Sequence, residues 1–372
     1  MRRFLCLCLC LCLFPLTTVS EAEKPKSVSA KGAVVMDAAT GVVLFQKNAD
    51  TPLPMASTTK IMTTLLLLER GNLDEAITVT KEMVQVEGTS MGLLPGDTVT
   101  PRSLCYGMML ASGNDAANVA ALIHSGSISE FAGAMNQKAQ ALGMKNTAFV
   151  TPSGLDEGNH HSTPYDMAVL AAYALNNPIF REMASSKTAK CSYGNPPYPR
   201  TLSNHNRLLK EYEGCIGVKT GFTKKAGRCL VSAAERNGAT LICVTLNAPD
   251  DWNDHKQLLD YGFSGMEPIT HPAGEFTLPV AGGTTPWVSL TYNTLSSTLP
   301  AGEKPHFSFR VSVSPFLYAP VTKGQQVGQV ELTYKGQVIA ATPITATGSV
   351  PLLPPKISFW QRFFENFCRL FP

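Results

Sequence analysis

The hydrophobic periodicity of the chain changes at Gly265, so one layered core cannot serve its whole length. From about residue 30 to 265, helical and strand-like patterns alternate, as in a mixed α/β unit. Ala33 to Phe45 reads as a hairpin turning at Ala39-Thr40-Gly41. Ser57 to Arg70 reads as a helix that is apolar on nearly every side, closed by Gly71. Ser129 to Leu142 and Pro164 to Leu175 read as further helices, the second capped by Thr163, Pro164 and Asp166. Arg228 to Ala234 and Thr240 to Leu246 read as paired strands joined through Arg236-Asn237-Gly238. Beyond Gly265 the helical period vanishes. Phe307, Phe309, Val311 and Val313 alternate with Ser308, Arg310 and Ser312, and Val330–Tyr334 and Gln337–Ala341 flank a Lys335-Gly336 turn. The expectation is an α/β (α+β) domain over residues 23–268 and a small all-β sandwich over 269–347 that supports rather than catalyses. A Pro-rich linker (348–356) and an amphipathic helix (357–372) follow. A length of 372 residues also suits two folded units.

The two ends read as addresses rather than as fold. Arg2 and Arg3 precede an apolar run, Leu5 to Phe14, with small residues at Ser20 and Ala22, which together read as a signal peptide over residues 1–22. The run is short for an anchor that stays in a bilayer, so the chain is expected to be exported. At the other end Trp360, Phe363, Phe364, Phe367, Cys368 and Phe371 recur at spacings of three and four, making one apolar helical face. Lys356, Arg362 and Arg369 outnumber Glu365, which favours an anionic lipid surface on the outer face of the cytoplasmic membrane. The plain alternative is a terminal helix docked on the protein's own core. A formal charge of +3, with no interleaving of basic and aromatic residues, excludes nucleic acid as the partner. Six cysteines lie outside the signal segment: Cys105, Cys191, Cys215, Cys229, Cys243 and Cys368. None are in C-x-x-C spacing, which argues against structural zinc. Cys191 and Cys215 bracket a Pro- and Asn-rich excursion and are the candidate disulfide pair. Cys229 and Cys243 fit apolar strands as small buried hydrophobes.

Four short patterns compete for the chemistry. Gly88-Thr89-Ser90-Met91-Gly92 matches G-x-S-x-G, but Pro95-Gly96 blocks the helix which that motif needs directly after its serine. Ser57-Thr58-Thr59-Lys60 stands better, at the start of the buried helix, where residues three apart share a face. The positive helix end disfavours a charge on Lys60 and stabilises an alkoxide on Ser57, so Lys60 can act as general base without a histidine. S-x-x-K alone arises about once by chance in a chain this long, and a capping serine beside a solvated lysine explains it equally well. Ser112-Gly113-Asn114 lies between a helix ending near Leu110 and one beginning near Asp115, where a simple turn is the plain alternative. Lys219-Thr220-Gly221 follows the strand-like Ile216 to Val218; K-T-G arises by chance in roughly one such chain in ten. Asp156, His160 and His161 lie close together, but H-E-x-x-H is absent and a capped loop explains them without metal.

The ordered set S-x-x-K, S-x-N, K-T-G resembles the penicillin-binding proteins and serine β-lactamases. Over nearly its whole length the chain is similar to the low-molecular-weight, serine-type D-alanyl-D-alanine carboxypeptidases of that superfamily (peptidase S11-like). Thr151-Pro152-Ser153-Gly154-Leu155, Gly217 to Thr223 and Leu258-Leu259-Asp260-Tyr261-Gly262-Phe263 carry the likeness further. The resemblance implies a serine β-lactamase/transpeptidase-like catalytic domain with no metal and no cofactor. It implies that Ser57 attacks the carbonyl between two terminal D-alanines of peptidoglycan stem peptides, Lys60 takes its proton, Ser112 relays a proton to the leaving amine, and Asn114 positions Lys60 and the substrate amide. Lys219 and Thr220 would hold the substrate carboxylate, Gly221 would let the substrate backbone lie along the strand, and the Ser57 and Phe222 N–H groups would form an oxyanion hole. β-Lactam antibiotics would inhibit covalently at Ser57.

Two departures stand out. Phe222 occupies a position where some relatives carry histidine, and Pro249-Asp250-Asp251-Trp252 lacks the basic residue some relatives place there; His205 and Arg207 are the candidate replacements. Three other readings share the motifs. A class A β-lactamase needs E-x-x-L-N, and the nearest match here, ending Leu175-Asn176, has Ala172 at the Glu position. A transpeptidase usually carries more domains before the catalytic one, and an endopeptidase on the same fold is a further alternative. A non-catalytic wall-binding module needs neither Ser57 nor Lys60.

Overall fold

The computed structural model describes residues 27–354 together with Pro25 and Trp360. The expected signal segment, Cys368, and the expected terminal helix apart from Trp360 lie outside the described residues.

The N-terminal strands β1 (Gly32–Asp37) and β2 (Val43–Lys47) form the expected hairpin. A 3-10 turn, Ala56–Thr59, leads into α1 (Lys60–Arg70), whose residues Lys60 to Leu68 are all buried; Gly71 closes it at φ 77°. Short strands β3 (Ile77–Thr78) and β4 (Thr98–Val99) precede a run of helices. These are α2 (Pro101–Met109), α3 (Asn114–Ser125), α4 (Ile128–Ala141), α5 (Pro164–Leu175) and α6 (Pro178–Ser185). The Thr163 hydroxyl accepts from Asp166 N–H at 3.0 Å, the cap read from sequence. The β5–β6 hairpin (Thr188–Gly194, Pro197–Ser203) and a single turn, α7 (Leu208–Glu211), lead to β7 (Cys215–Thr223), β8 (Gly227–Arg236) and β9 (Ala239–Leu246). Helix α8 (Asp251–Ser264) ends the unit.

The five-stranded antiparallel sheet runs β2-β1-β9-β8-β7, with helices on both faces. Because both faces are covered, its central strands are apolar throughout rather than alternating. Val34, Met36, Val231, Ala233 and Ile242 pack into the large core beneath α1 to α6. Their neighbours Ala33, Val35, Leu230, Ala234 and Leu241 pack against Leu258 and Leu259 of α8. Cys229 and Cys243 fill one position in each core as small hydrophobes, as expected. Cys191 and Cys215 do not pair. Cys191 lies on the hairpin sheet within the large core, Cys215 packs toward the α8 core, and both thiols are free.

The second unit is all β. It comprises β10 (Met266–His271), β11 (Gly274–Ala281), β12 (Trp287–Tyr292), β13 (Leu295–Pro300), β14 (Phe307–Val313), β15 (Leu317–Tyr318), β16 (Gln326–Tyr334) and β17 (Gln337–Ala346). One six-stranded sheet, β14-β16-β17-β12-β11-β15, faces a β10–β13 pair. Val280, Leu290, Val330, Leu332 and Ile344 fill the space between. The β16–β17 hairpin turns at Lys335 and Gly336, both at positive φ, the geometry of a type I′ turn. Val311 is 49% exposed despite its apolar alternation, because β14 is an edge strand.

Three expected boundaries shift. Ser57 lies on the 3-10 turn rather than in the helix proper, because Ala56 at φ 47° bends the chain sharply there. The expected boundary at residue 268 falls inside β10, which begins at Met266. The expected linker is partly structural. Val350 is buried and bridges Val321, Thr284 N–H donates to Pro351 O at 2.9 Å, and Leu353 N–H donates to Gly282 O at 2.7 Å. Sequence shows the prolines but not the backbone pairing that uses the groups between them.

Losing that strap removes a buried valine, worth about 1.5–3 kcal/mol, besides its backbone bonds. A chain ending at Pro354 is expected to unfold at the same temperature as the intact chain. One ending at Gly348 should lose about 5 °C or more in the β unit by calorimetry.

Candidate active site

The start of α1 meets the edge strand β7. Ser57 Oγ accepts from Lys60 Nζ at 2.9 Å, one helical turn away. Lys60 is fully buried, and its other two contacts are carbonyl acceptors: Asn114 Oδ1 at 2.7 Å and the Ser153 backbone carbonyl at 2.7 Å. Burial, and then the nearby Lys219 charge, push the Lys60 amine well below its ordinary 10.5, with Asp115 opposing. A neutral amine has two N–H bonds and one lone pair. The two carbonyls take both N–H bonds, so the lone pair is aimed at the Ser57 hydroxyl. The contact then reverses, with Ser57 donating.

The Ser153 carbonyl is brought in by Gly154, at φ 88°, where a Cβ would lie 2.0 Å from Ala56 O. Thr63 Oγ donates to Pro152 O at 2.6 Å and locks the same segment onto α1. Thr151 to Leu155 was legible as part of the family likeness, but not as the source of a lysine acceptor.

Ser112 sits between α2 and α3 in the left-handed region, φ 58°, which costs a non-glycine residue about 1–3 kcal/mol and marks a held conformation. The residues 87–93 hold it. Thr89 Oγ donates to Ser112 O at 2.7 Å, Asn114 N–H donates to Thr89 O at 2.7 Å, and Asn114 Nδ2 donates to Glu87 O at 2.7 Å. Asp115 fastens that loop in turn, its carboxylate accepting from Ser90 Oγ and from the N–H groups of Met91, Gly92 and Leu93. The G-x-S-x-G segment is therefore a loop clamp, not a nucleophile elbow.

From β7, buried Lys219 donates to Ser112 Oγ at 3.0 Å and to Thr220 O at 2.9 Å; burial brings it down to about 7. A Cβ on Gly221 would lie 3.0 Å from Ser57 N and 3.1 Å from Ala56 Cβ, so a side chain here would press β7 away from the serine turn by a few tenths of an ångström or more. A cleft of about 340 Å³ opens over Ser57, Ser112, Thr220 and Gly221, continuing to Thr89, His205, Phe222, Arg228, Asp251 and Trp252. Of the eight residues expected from sequence, Ser57, Ser112, Thr220, Gly221 and Phe222 line this cleft, while Lys60, Asn114 and Lys219 are buried behind it and linked to it by hydrogen bonds.

The model of the D-alanyl-D-alanine carboxypeptidase family matches residues 18–250, and that of the penicillin-binding protein 5 C-terminal domain matches residues 278–352. The chain belongs to this carboxypeptidase family. The D-alanyl-D-alanine carboxypeptidase DacF of Bacillus subtilis is 33% identical over 90% of both chains, and DacC of Escherichia coli is 35% identical over 87% of this chain and 85% of its own. Penicillin-binding protein 5 from Haemophilus influenzae superposes with a TM-score of 0.62 at 29% identity, covering 89% of this chain and all of its own. The Streptomyces K15 DD-transpeptidase gives 0.62 at 36% identity, over 65% of this chain and all of its own.

Within the family's cleft, the outer rim differs from the sequence reading. His205 lines the cleft as expected, with burial holding its imidazole below the ordinary value. Arg207 is not in its lining; it pairs with Glu211 at 2.9 Å, with its guanidinium 5.7 Å from the ring centroid of the cleft residue Trp252. The guanidinium in the cleft is Arg228, directly across the β7–β8 ladder from Phe222. It donates to the buried carboxylate of Asp251 at 2.9 Å and lies 5.6 Å from the Trp252 ring centroid. The Asp251-Trp252 pair that lacks a basic residue is what holds this arginine. Counting register outward from the Lys224-Lys225-Ala226 turn would have placed Arg228 opposite Phe222; motif spacing alone does not.

His160 is committed to structure. Its Nδ1 accepts from Val150 N–H at 2.9 Å, so Nε2 donates to Thr59 Oγ at 2.8 Å. Burial pushes the ring down to about 4. Among the described residues no group of three His, Cys, Asp or Glu side chains is placed to hold a metal ion.

The close approach at Gly221 yields a direct test. Gly221→Val is expected to keep the circular dichroism spectrum and lose acylation by penicillin at least a hundredfold. A near-normal rate would show that β7 does not need to touch the serine turn.

Proposed function

We propose that this family member acts as a serine-type D-alanyl-D-alanine carboxypeptidase, trimming the terminal D-alanine from peptidoglycan stem peptides, and that penicillin inactivates it by acylating Ser57. One observation carries the reading: a fully buried lysine whose two other contacts are carbonyls, 2.9 Å from a serine that opens onto the cleft. Neutral Lys60 takes the Ser57 proton as Oγ attacks the carbonyl between the two D-alanines. The N–H groups of Ser57 and Phe222 stabilise the oxyanion, each such donor contributing about 10²–10³ in rate. Ser112, polarised by Lys219, relays the proton taken up by Lys60 to the departing amine, which returns Lys60 to its neutral form, and free D-alanine leaves. Water then cleaves the Ser57 ester with Lys60 again as base. Thr220, with the Lys219 charge behind it, receives the substrate carboxylate, and Arg228 adds a second positive group at the outer rim. The same reading has the chain exported and held at the outer face of the cytoplasmic membrane by residues 357–372.

Labelled penicillin should attach at Ser57, and peptides ending in D-Ala-D-Ala should release D-alanine; Ser57→Ala should abolish both. Labelling without release would point to a transpeptidase, and rapid penicillin turnover to a β-lactamase. If Ser57→Ala still labelled, the mechanism would be wrong.

Arg228→Gln should raise KM for the peptide about tenfold with kcat little changed, whereas Arg207→Gln should leave both alone. The charged hydrogen bond removed is worth about 1.5 kcal/mol at a partly exposed site. An unchanged KM in Arg228→Gln would remove the arginine from substrate binding.

A further inference from the structure

One end of the β unit presents a surface that the reaction does not use. There the β11–β12 hairpin, β15 and the outgoing strap at residues 350–353 lie side by side. Val280 and Ala281 pair with Leu317 and Tyr318, Gly283 bridges Leu352, and Leu353 N–H donates to Gly282 O. On these segments Trp287, Phe316, Tyr318, Leu352 and Leu353 are 56%, 41%, 74%, 59% and 50% exposed. The Phe316 and Tyr318 rings meet edge to face at 5.1 Å. Residues 279–287, 311–320 and 337–354 contain no Asp, Glu, Lys, Arg or His.

Single exposed apolar residues need no explanation, but three aromatics and two leucines on adjoining uncharged segments do. Trp and Tyr, apolar with a polar tip, suit the headgroup level of a bilayer. The position of the patch names its occupant. The chain leaves it at Leu353, and the aromatic face that begins at Trp360 belongs to a segment starting at residue 357. Four residues of extended chain span at most about 14 Å. A terminal segment lying in a lipid interface therefore holds this end of the β unit close to the same interface.

We propose that Trp287, Phe316, Tyr318, Leu352 and Leu353 form a second lipid-contacting surface, seated among the headgroups of an anionic bilayer beside the terminal segment. Two contacts fix the tilt of the β unit on the membrane, which a single tether leaves free. The proposal rests on the membrane reading of residues 357–372, and its test separates the two.

The exported chain with its C-terminus intact is sedimented with vesicles of phosphatidylglycerol and phosphatidylethanolamine. It is compared with Tyr318→Glu/Leu352→Glu, with a deletion of residues 356–372, and with both changes together. The Glu pair should weaken partitioning at least tenfold while D-alanine release from a soluble peptide stays unchanged. The deletion should leave weak residual binding that the Glu pair abolishes. Brominated acyl chains should quench the fluorescence that Trp287→Phe removes, a readout that adds no charge. If the intact chain and the Glu pair pellet alike, with no Trp287 quenching, the patch proposal is overturned and the tether survives. If the intact chain does not pellet at all, the membrane reading itself falls. A deletion chain that dimerises, with the Glu pair breaking the dimer, would make a second copy the occupant and overturn the proposal. A drop in melting temperature on deletion would do the same in favour of the docked terminal segment.

Discussion

Removing a lysine from water as an ammonium ion costs several kcal/mol unless its charge is matched, and no carboxylate accepts from Lys60. The side chain is fully buried, with a serine hydroxyl, an asparagine oxygen and a backbone carbonyl as its partners. Those partners suit a neutral amine, with two N–H bonds to give and a lone pair to aim. Lys219, buried next to Thr220 on the facing strand, adds positive potential that drives Lys60 further toward neutrality. Much of the catalytic unit can be understood as the means of keeping this one amine dry, uncharged and pointed at Ser57.

The supporting structure comes from distant parts of the chain. The 3-10 turn before α1 supplies Ser57 and α1 supplies Lys60; the helix is buried nearly all round, so its register is set by packing on several sides. Asn114 is aimed by hydrogen bonds to residues 87 and 89, and that loop is tied down by Asp115 one position further on. Gly154 and Gly221 both pack against the serine turn, the first at a distance a Cβ would block and the second at one a Cβ would crowd. The strain at Ala56 and Ser112, both in the left-handed region, lies beside the Ser57 and Ser112 hydroxyls and is held by this packing.

The candidate site groups were legible because their logic is local or ordered. Ser57 and Lys60 share a face at a spacing of three, and the three motifs recur in family order, so eight candidate residues could be named from sequence. The hairpins and capped helices were legible for the same reason: Thr163 caps α5, and Lys335-Gly336 turns β16 into β17. What escaped depends on contacts between remote segments. The Ser153 carbonyl has no side-chain signature. Arg228 reaches the cleft through strand register, while Arg207, nearer in sequence to a suspected site residue, turns to Glu211. Cys191 and Cys215 are close in sequence but face different cores. The strap at Val350 pairs through backbone groups that an apparent proline linker conceals.

The ionisation of Lys60 is the point at which this account is most exposed. It can be read directly by NMR titration of the chain carrying 13C-labelled lysine side chains, with the Lys60 resonance assigned by its loss in Lys60→Arg. The account predicts a Lys60 side chain that titrates well below the ordinary 10.5, so that the amine is substantially neutral where the enzyme works. A Lys60 resonance that titrates at or above 10.5 would contradict it, and another group would have to take the proton from Ser57.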